Sequence, residues 1–186
     1  MLIGPESVAT PEEGPVSSPR PLAPPFEEMV RELVTTKPLP TGPDPEAITR
    51  TILERWPETK VASAMGATFF SLDDSHWPNF ATIVTTDEHD EGAPSRLSER
   101  PGTFRLNIGV SRQTFERLVE DATAEPDYAA FDTILRHPVY AKQLWISILN
   151  PSDATFRDVV TPLLEEAHDR LAATRARHRT GSERRP

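Results

Sequence analysis

The sequence predicts an α+β domain in which helices cover one face of a mainly antiparallel sheet of four to five strands. Two stretches, residues 103–110 and 143–150, alternate between apolar and polar side chains, which is the period of a half-buried strand. Apolar residues at helical spacing precede the first strands and follow the last one. Grouped strands with helices toward the ends are typical of an antiparallel sheet covered on one side.

Composition limits the classes of protein to which the chain can belong. Its 186 residues, 37% hydrophobic and 26% charged, suffice for one domain with a core. The absence of cysteine excludes disulfides, thiolate metal sites and cysteine nucleophiles. The start of the chain lacks the features of a secretory signal, and no apolar run reaches the roughly 18 to 20 residues of a membrane span. We therefore expect a soluble, cytoplasmic protein.

Proline content divides the chain. Residues 1–45 hold 11 of the 20 prolines, a composition typical of disorder, so we predict a disordered leader over residues 1–43. Within it, Phe26, Met29, Val30 and Leu33 have the spacing of two amphipathic turns, either a transient helix or a docking segment. Met29 is also an alternative start. A single domain then spans residues 44–178, before a disordered basic tail over residues 179–186.

The first half of the domain reads as one helix followed by strands. Asp44 is a good N-cap for a helix that begins at Pro45. Residues 60–72 predict two short strands hinged near Gly66, or one strand bulged there. A turn at residues 73–79 precedes a β-branched strand at 80–86, and a polar loop occupies residues 87–101. The apolar stripe of the helix is Ile48, Ile52, Leu53 and Trp56.

The strand at residues 103–110 leads directly into a helix. Ser111 is a suitable N-cap for it, and apolar residues then recur at helical spacing. The strand has one apolar and one polar face, and the next strand repeats this arrangement. The polar face is therefore predicted to carry Arg105, Asn107, Trp145 and Ser147.

The second half predicts a short amphipathic helix, a strand and a long helix. The short helix is indicated by Tyr128, Phe131, Ile134 and Leu135 and ends before Pro138. The long helix covers residues 152–178. Pro162 interrupts it, so either the helix kinks there or a new helix starts with Thr161 as its cap.

Three segments, residues 101–115, 137–156 and 162–171, resemble the family catalogued as domain of unknown function 6194. The turn His-Pro-Val-Tyr at 137–140, the strand carrying Trp145 and the closing helix are also similar, more distantly, to the MmcQ/YjbR group. The second resemblance implies a CyaY-like α+β fold and a proposed DNA-binding role. Neither implies an established activity.

The charge distribution disfavours binding to nucleic acid. The chain carries a net charge of −9, and residues 45–178 hold 14 Lys and Arg against 21 Asp and Glu. Affinity for a phosphate backbone comes from clustered cations, which this balance makes difficult to assemble.

Two groups of side chains are candidates for a binding site. His137, Tyr140 and Lys142 lie near Trp145, where a histidine could act as a general base and an indole could form the wall of a pocket. Their alternative role is to fix the turn before the strand. Arg105 and Asn107 could bind a carboxylate or phosphate, or could pair with neighbouring strands.

The sequence gives little support for a metal site or a bound cofactor. Acidic loops with histidine occur at residues 73–76 and 87–91, but their spacing matches neither an EF-hand nor a zinc signature. Motifs of common hydrolases, kinases and dinucleotide-binding proteins are absent as well. We predict no metal and no cofactor.

The leading hypothesis is a non-catalytic module that binds an unknown small molecule or a protein. An enzyme using His137, Tyr140 and Arg105 is the alternative, and a YjbR-like DNA-binding domain is the third. An enzyme would bring His137 together with Arg105 or Asn107 in a concave pocket, whereas a protein-binding module would expose a flat apolar patch.

Overall fold

The computed structural model describes residues 39–89, 92, 94–119 and 125–182. Residues 1–38 of the predicted leader, which include its amphipathic segment, lie outside these residues. The described chain folds around one six-stranded antiparallel sheet with the strand order β1-β2-β3-β4-β6-β5. The strands are β1 (Lys60–Ala64), β2 (Ala67–Ser71), β3 (Asn79–Val84), β4 (Arg105–Gly109), β5 (Leu135–Arg136) and β6 (Trp145–Leu149).

The helices pack against one face of the sheet, as predicted. Helix α1 (Pro45–Arg55) is capped by the Asp44 side chain, which accepts a hydrogen bond from the backbone N–H of Ala47 at 2.7 Å. Helix α2 (Arg112–Val119) follows β4. The long C-terminal helix supplies Val160, Leu163, Leu164 and Ala167 to the same core, in which the sheet presents Phe70, Ile83, Leu106, Ile108, Ile146 and Ile148. The α+β class and the one-sided helix layer are thus confirmed.

The strand count is six, not four to five. Residues 60–72 form the two strands β1 and β2 with a turn at Met65 and Gly66, and Gly66 has a φ of +71°. Beside this turn, Thr86 leaves little room for a side chain at position 66. The hinge predicted at Gly66 is confirmed.

The sixth strand replaces a predicted helix. Residues 128–135 do not form the short amphipathic helix expected from their apolar spacing. Instead, Phe131 forms a bridge with Leu149, the backbone N–H of Asp132 donates to Leu149 O, and β5 pairs with β6. Asp132 also has a φ of +55°, which a helix does not allow. The open edge of β6 needs hydrogen-bond partners, and this segment supplies them.

The second face of the sheet is also covered, although the sequence predicted it to be open. Loop residue Leu97 packs there against Ala67, Val84 and Leu149 in a small second core, with Phe69 and Phe131 at its edge. This loop is attached by Arg100, which donates to Ser95 O and Ala129 O and lies over the Phe131 ring. Arg105, Asn107 and Ser147 are consequently almost fully buried.

The C-terminal helix is continuous through Pro162 and does not restart with Thr161 as a cap. Helix α3 (Asp153–Thr155) runs through a π-helical turn (Phe156–Val160) into α4 (Thr161–Ser182). Thr161 has helical dihedral angles, and both its backbone N–H and its hydroxyl donate to Phe156 O. The wider turn lets the helix pass Pro162, which has no N–H to donate. Helix α4 extends four residues beyond the predicted boundary at 178.

No helix in the described part of the chain combines the length and apolar character that crossing a lipid bilayer requires.

Candidate functional site

A cavity of about 510 Å³ opens on the second face of the sheet. Strands β2, β3 and β4 supply its floor. The rim comes from the turn before β3 with the first residue of β3, and from the segment between β5 and β6 with the first residue of β6. This volume lies within the range of small-molecule sites. The floor residues are Ala67, Phe69, Thr82, Val84, Arg105 and Asn107; the rim residues are Trp77, Pro78, Asn79, His137, Tyr140, Gln143 and Trp145.

A chain of buried hydrogen bonds crosses the floor. Arg105 Nε donates to Asn107 Oδ1 at 2.9 Å, and Asn107 Nδ2 donates to Thr82 Oγ1 at 2.9 Å on the neighbouring strand. Arg105 NH1 also donates to Ser95 Oγ at 2.8 Å. Arg105 is only 1% exposed, so its guanidinium brings a positive charge to the bottom of the cavity within a rigid polar frame.

His137 stands at the rim with one ring nitrogen committed to the backbone. Its Nδ1 accepts hydrogen bonds from the backbone N–H groups of Val139 at 3.0 Å and Tyr140 at 3.1 Å. Burial of the ring, aided by the positive charge of Arg105, lowers the pKa of His137 to about 3. The imidazole is therefore neutral at physiological pH, with its proton on Nε2.

Trp145 forms one wall of the cavity. It is the cross-strand partner of Gly109, and a Cβ placed on Gly109 would lie 3.3 Å from Cε2 of the indole. The indole thus lies against bare backbone, which only glycine offers. Phe69, Trp77 and Tyr140 supply the remaining aromatic surface. Trp77 is 71% exposed and Tyr140 48% exposed, which places both at the mouth.

The structure brings most of the predicted site residues together. Arg105, Asn107, His137, Tyr140 and Trp145 all line this cavity. Lys142 does not; its side chain is exposed on the 3₁₀ turn Ala141–Gln143, outside the lining. Sequence reasoning missed Phe69 and Trp77. A bulky tryptophan in the polar turn at residues 73–79 was the available signal for Trp77.

His137 can both fix the turn before β6 and contribute to a binding site. Its Nδ1 fixes the turn, and the residue also lines the cavity. The general-base role considered for His137 does not fit this geometry. A base needs an available lone pair, and both donors to Nδ1 come from the turn.

The acidic loops have structural partners. Asp87 accepts hydrogen bonds from the backbone N–H groups of Leu97 and Ser98, which closes the loop over the second face of the sheet. Asp73 accepts from the N–H of Ser75 and pairs with Arg175 at 3.3 Å. Within residues 39–89, 92, 94–119 and 125–182, no three His, Asp or Glu side chains form a group that could hold a metal ion.

Comparison with known proteins yields one match. No curated protein and no solved structure shows significant similarity to the chain. The model of the family described as "Family of unknown function (DUF6194)" matches residues 43–181, which include the whole sheet and every residue of the cavity lining. The chain therefore belongs to the DUF6194 family.

Proposed function

We propose that the domain is a non-catalytic module that binds a small molecule in the cavity over β2, β3 and β4. The observation that carries this proposal is the convergence of Arg105, Asn107 and His137 in one concave, aromatic-walled cavity. Few, well-placed polar groups among apolar walls are typical of ligand pockets. The buried hydrogen bonds of the floor hold these groups in place before a ligand arrives.

A binding role accounts for the cavity better than catalysis does. The concave arrangement is the one expected of an enzyme, but chemistry also needs a group that can accept or donate a proton near neutral pH. Among the described residues that line the cavity there is no Asp, Glu or Lys, and the pKa of His137 is lowered to about 3. An acid–base mechanism therefore lacks its base.

Protein and DNA partners receive less support. The polar groups lie at the bottom of a cavity rather than on a flat apolar patch, which disfavours a protein partner for this face. Arg105 is the cation among the described lining residues, and the net charge is −9, so a phosphate backbone would find little to bind. The distant YjbR-like relationship stays a prediction.

The test is a thermal-shift screen of the full chain against small metabolites, followed by calorimetric titration of the hits. A ligand at a hundred times its Kd stabilises the folded state by about 2.7 kcal/mol. We expect hits that are lost in Trp145→Ala and weakened in Trp77→Ala. Lys142→Ala is the matched control, because Lys142 lies close in sequence and outside the cavity.

A hit that binds all three variants as tightly as the wild type would contradict the proposal. So would a screen in which only other folded proteins, and no small molecule, stabilise the chain.

A further inference from the structure

We infer that the ligand is a flat aromatic molecule that presents a carbonyl or carboxylate oxygen to the Nε2–H group of His137. This inference rests on the small-molecule-binding function proposed above and specifies its ligand class. It follows from the tautomer of His137, its place in the cavity lining and the shape of the walls.

The backbone determines the tautomer of His137. A backbone N–H can only donate, so Nδ1, which receives two such bonds at 3.0 Å and 3.1 Å, must carry the lone pair. The ring proton of the neutral imidazole is then on Nε2. Rotation of the ring cannot change this tautomer while both hydrogen bonds from the turn persist. His137 is thus a hydrogen-bond donor of fixed direction.

The residue that carries this donor lines the cavity. His137 as a residue is 3% exposed, and no described residue accepts a hydrogen bond from its Nε2. Three buried side-chain atoms of the described chain lack a partner, namely Thr59 Oγ1, Asn79 Oδ1 and Thr103 Oγ1. Nε2 is not one of them, and His137 is among the residues that line the cavity. A ligand acceptor can therefore replace water at this atom.

The walls favour a planar ligand. Phe69, Trp77, Tyr140 and Trp145 surround the space beside the His137 donor, and the indole of Trp145 is held against the backbone at Gly109. Aromatic side chains favour offset or edge contacts with another ring. The cavity volume of about 510 Å³ accommodates a bicyclic aromatic system.

The charge near the donor disfavours a cationic ligand. Arg105 is close enough to His137 for its positive charge to act on the imidazole. The same field stabilises an electron-rich oxygen at Nε2 and opposes an ammonium group there. The shared chemistry is an acceptor oxygen, supplied by either a neutral carbonyl or a carboxylate.

The experiment uses four probes and one designed variant of the full chain. The probes are 2-naphthoate, 2-naphthamide, 2-naphthylmethylamine and cyclohexanecarboxylate, each titrated by calorimetry to 5 mM. His137→Asn is the variant, because an asparagine Oδ1 accepts from the N–H groups two and three residues on and so preserves the turn. The substitution removes the Nε2–H donor of His137 from the cavity. Lys142→Ala serves again as the control.

We expect 2-naphthoate or 2-naphthamide to bind at least about tenfold more tightly than the amine or the cyclohexane acid. His137→Asn should weaken that binding about five- to tenfold, the worth of one hydrogen bond, without altering the folded spectrum. The ¹⁵N and ¹H signals of His137 Nε2–H should shift on binding. Tighter binding of 2-naphthoate than of 2-naphthamide, with a difference that salt reduces, would identify a carboxylate ligand. Equal affinity for these two probes would identify a neutral carbonyl.

The inference would be overturned if 2-naphthylmethylamine bound as tightly as 2-naphthoate and 2-naphthamide. Unchanged affinity in His137→Asn, or no binding of any naphthalene probe, would also overturn it. The proposed function fails separately. If the metabolite screen finds a ligand lost in Trp145→Ala while the naphthalene probes do not bind, the cavity is a binding site and only the ligand class is wrong.

Discussion

Gly109 and Trp145 face each other across β4 and β6, with the indole packed so closely on the backbone that a Cβ at position 109 would lie 3.3 Å from Trp145 Cε2. The indole therefore depends on this glycine for its position. Gly109 has no positive φ, so the requirement is one of space and not of backbone conformation.

Enlarging Gly109 should displace the wall of the cavity. A Cβ at position 109 would lie 3.3 Å from Trp145 Cε2, so Ala demands a small shift and Val a larger one. We expect Gly109→Val to lower the free energy of unfolding by about 1 to 3 kcal/mol and to abolish ligand binding, with Gly109→Ala between it and the wild type. Urea denaturation and the indole N–H resonance of Trp145 measure both effects. An unmoved resonance in Gly109→Val would show that the indole does not rest there.

Removing the Arg105 guanidinium should cost far more than removing a surface arginine. Arg105→Met would leave Asn107 Oδ1 and Ser95 Oγ without the donor that each now has. We expect a loss of about 2 to 4 kcal/mol in the free energy of unfolding, because buried polar groups would lose their partners. Arg105→Lys should rescue little, since an ammonium lacks the fork that reaches both acceptors.

Arg112→Ala is the matched control for Arg105→Met. Its side chain is 75% exposed and lies 3.7 Å from Glu116, so we expect a change within about 0.5 kcal/mol. Comparable losses for the two variants in urea denaturation would mean that the floor of the cavity contributes no special stability.

His137 should make the protein less stable as the pH falls. Its folded pKa, about 3, is below the ordinary value of 6.5, so the unfolded chain binds the extra proton first. Stability from this group is complete above pH 6.5. It then declines by up to about 1.4 kcal/mol per pH unit between pH 6.5 and pH 3.

The variant His137→Asn isolates this effect, because the carboxylates that also titrate in acid are common to both proteins. We expect the wild type to lose unfolding free energy relative to the variant as the pH is lowered from 7 to 5. Parallel pH profiles for the two proteins in urea denaturation would contradict the buried neutral imidazole.

Glu166 should stabilise the junction of α2 and α4 only while it is ionised. Its carboxylate accepts hydrogen bonds from the Ser111 N–H and the Thr114 hydroxyl, both at 2.7 Å. Burial raises the pKa of Glu166, but these hydrogen bonds outweigh it, and the net pKa is lowered below 4.5. The stabilisation is therefore present above pH 4.5 and is lost as the pH falls through the folded pKa.

We expect Glu166→Gln to lose about 1 to 2 kcal/mol at pH 7 and progressively less below pH 4.5. Glu165→Gln is the control, since Glu165 is half exposed and makes only a surface ion pair with Arg55. Chemical denaturation of both variants at pH 7 and pH 4 measures the difference. If Glu166→Gln lowered the free energy of unfolding by the same amount at both pH values, the contribution of Glu166 would come from packing and not from its charge.

Period-2 alternation was sufficient to predict β4 and β6 and to place Arg105, Asn107 and Trp145 on one face of the sheet. It was not sufficient to predict that this face is buried. The covering loop contributes Leu97 to the second core and attaches through Asp87 and Arg100, so its own sequence reads as polar. Contacts between distant segments leave no periodic signal.

The error at β5 has a different physical origin. Phe131, Ile134 and Leu135 have helical spacing, but the segment satisfies the free edge of β6, and these tertiary hydrogen bonds outweigh local propensity. Part of the site was nevertheless predictable, because His137, Tyr140 and Trp145 are close in sequence. Phe69 and Trp77 reach the cavity from strands and turns 60 or more residues away, which the sequence alone does not connect.

The π-helical turn at Phe156–Val160 has a consequence for how relatives of this chain are to be aligned. Such a turn holds one residue more than a regular α-helical turn, so it is equivalent to a one-residue insertion in the helix. A relative without it would present its apolar residues before position 156 rotated by about 100° relative to those after position 161. In an alignment, a one-residue gap in this interval marks the loss of a π-turn, with the C-terminal core positions unchanged.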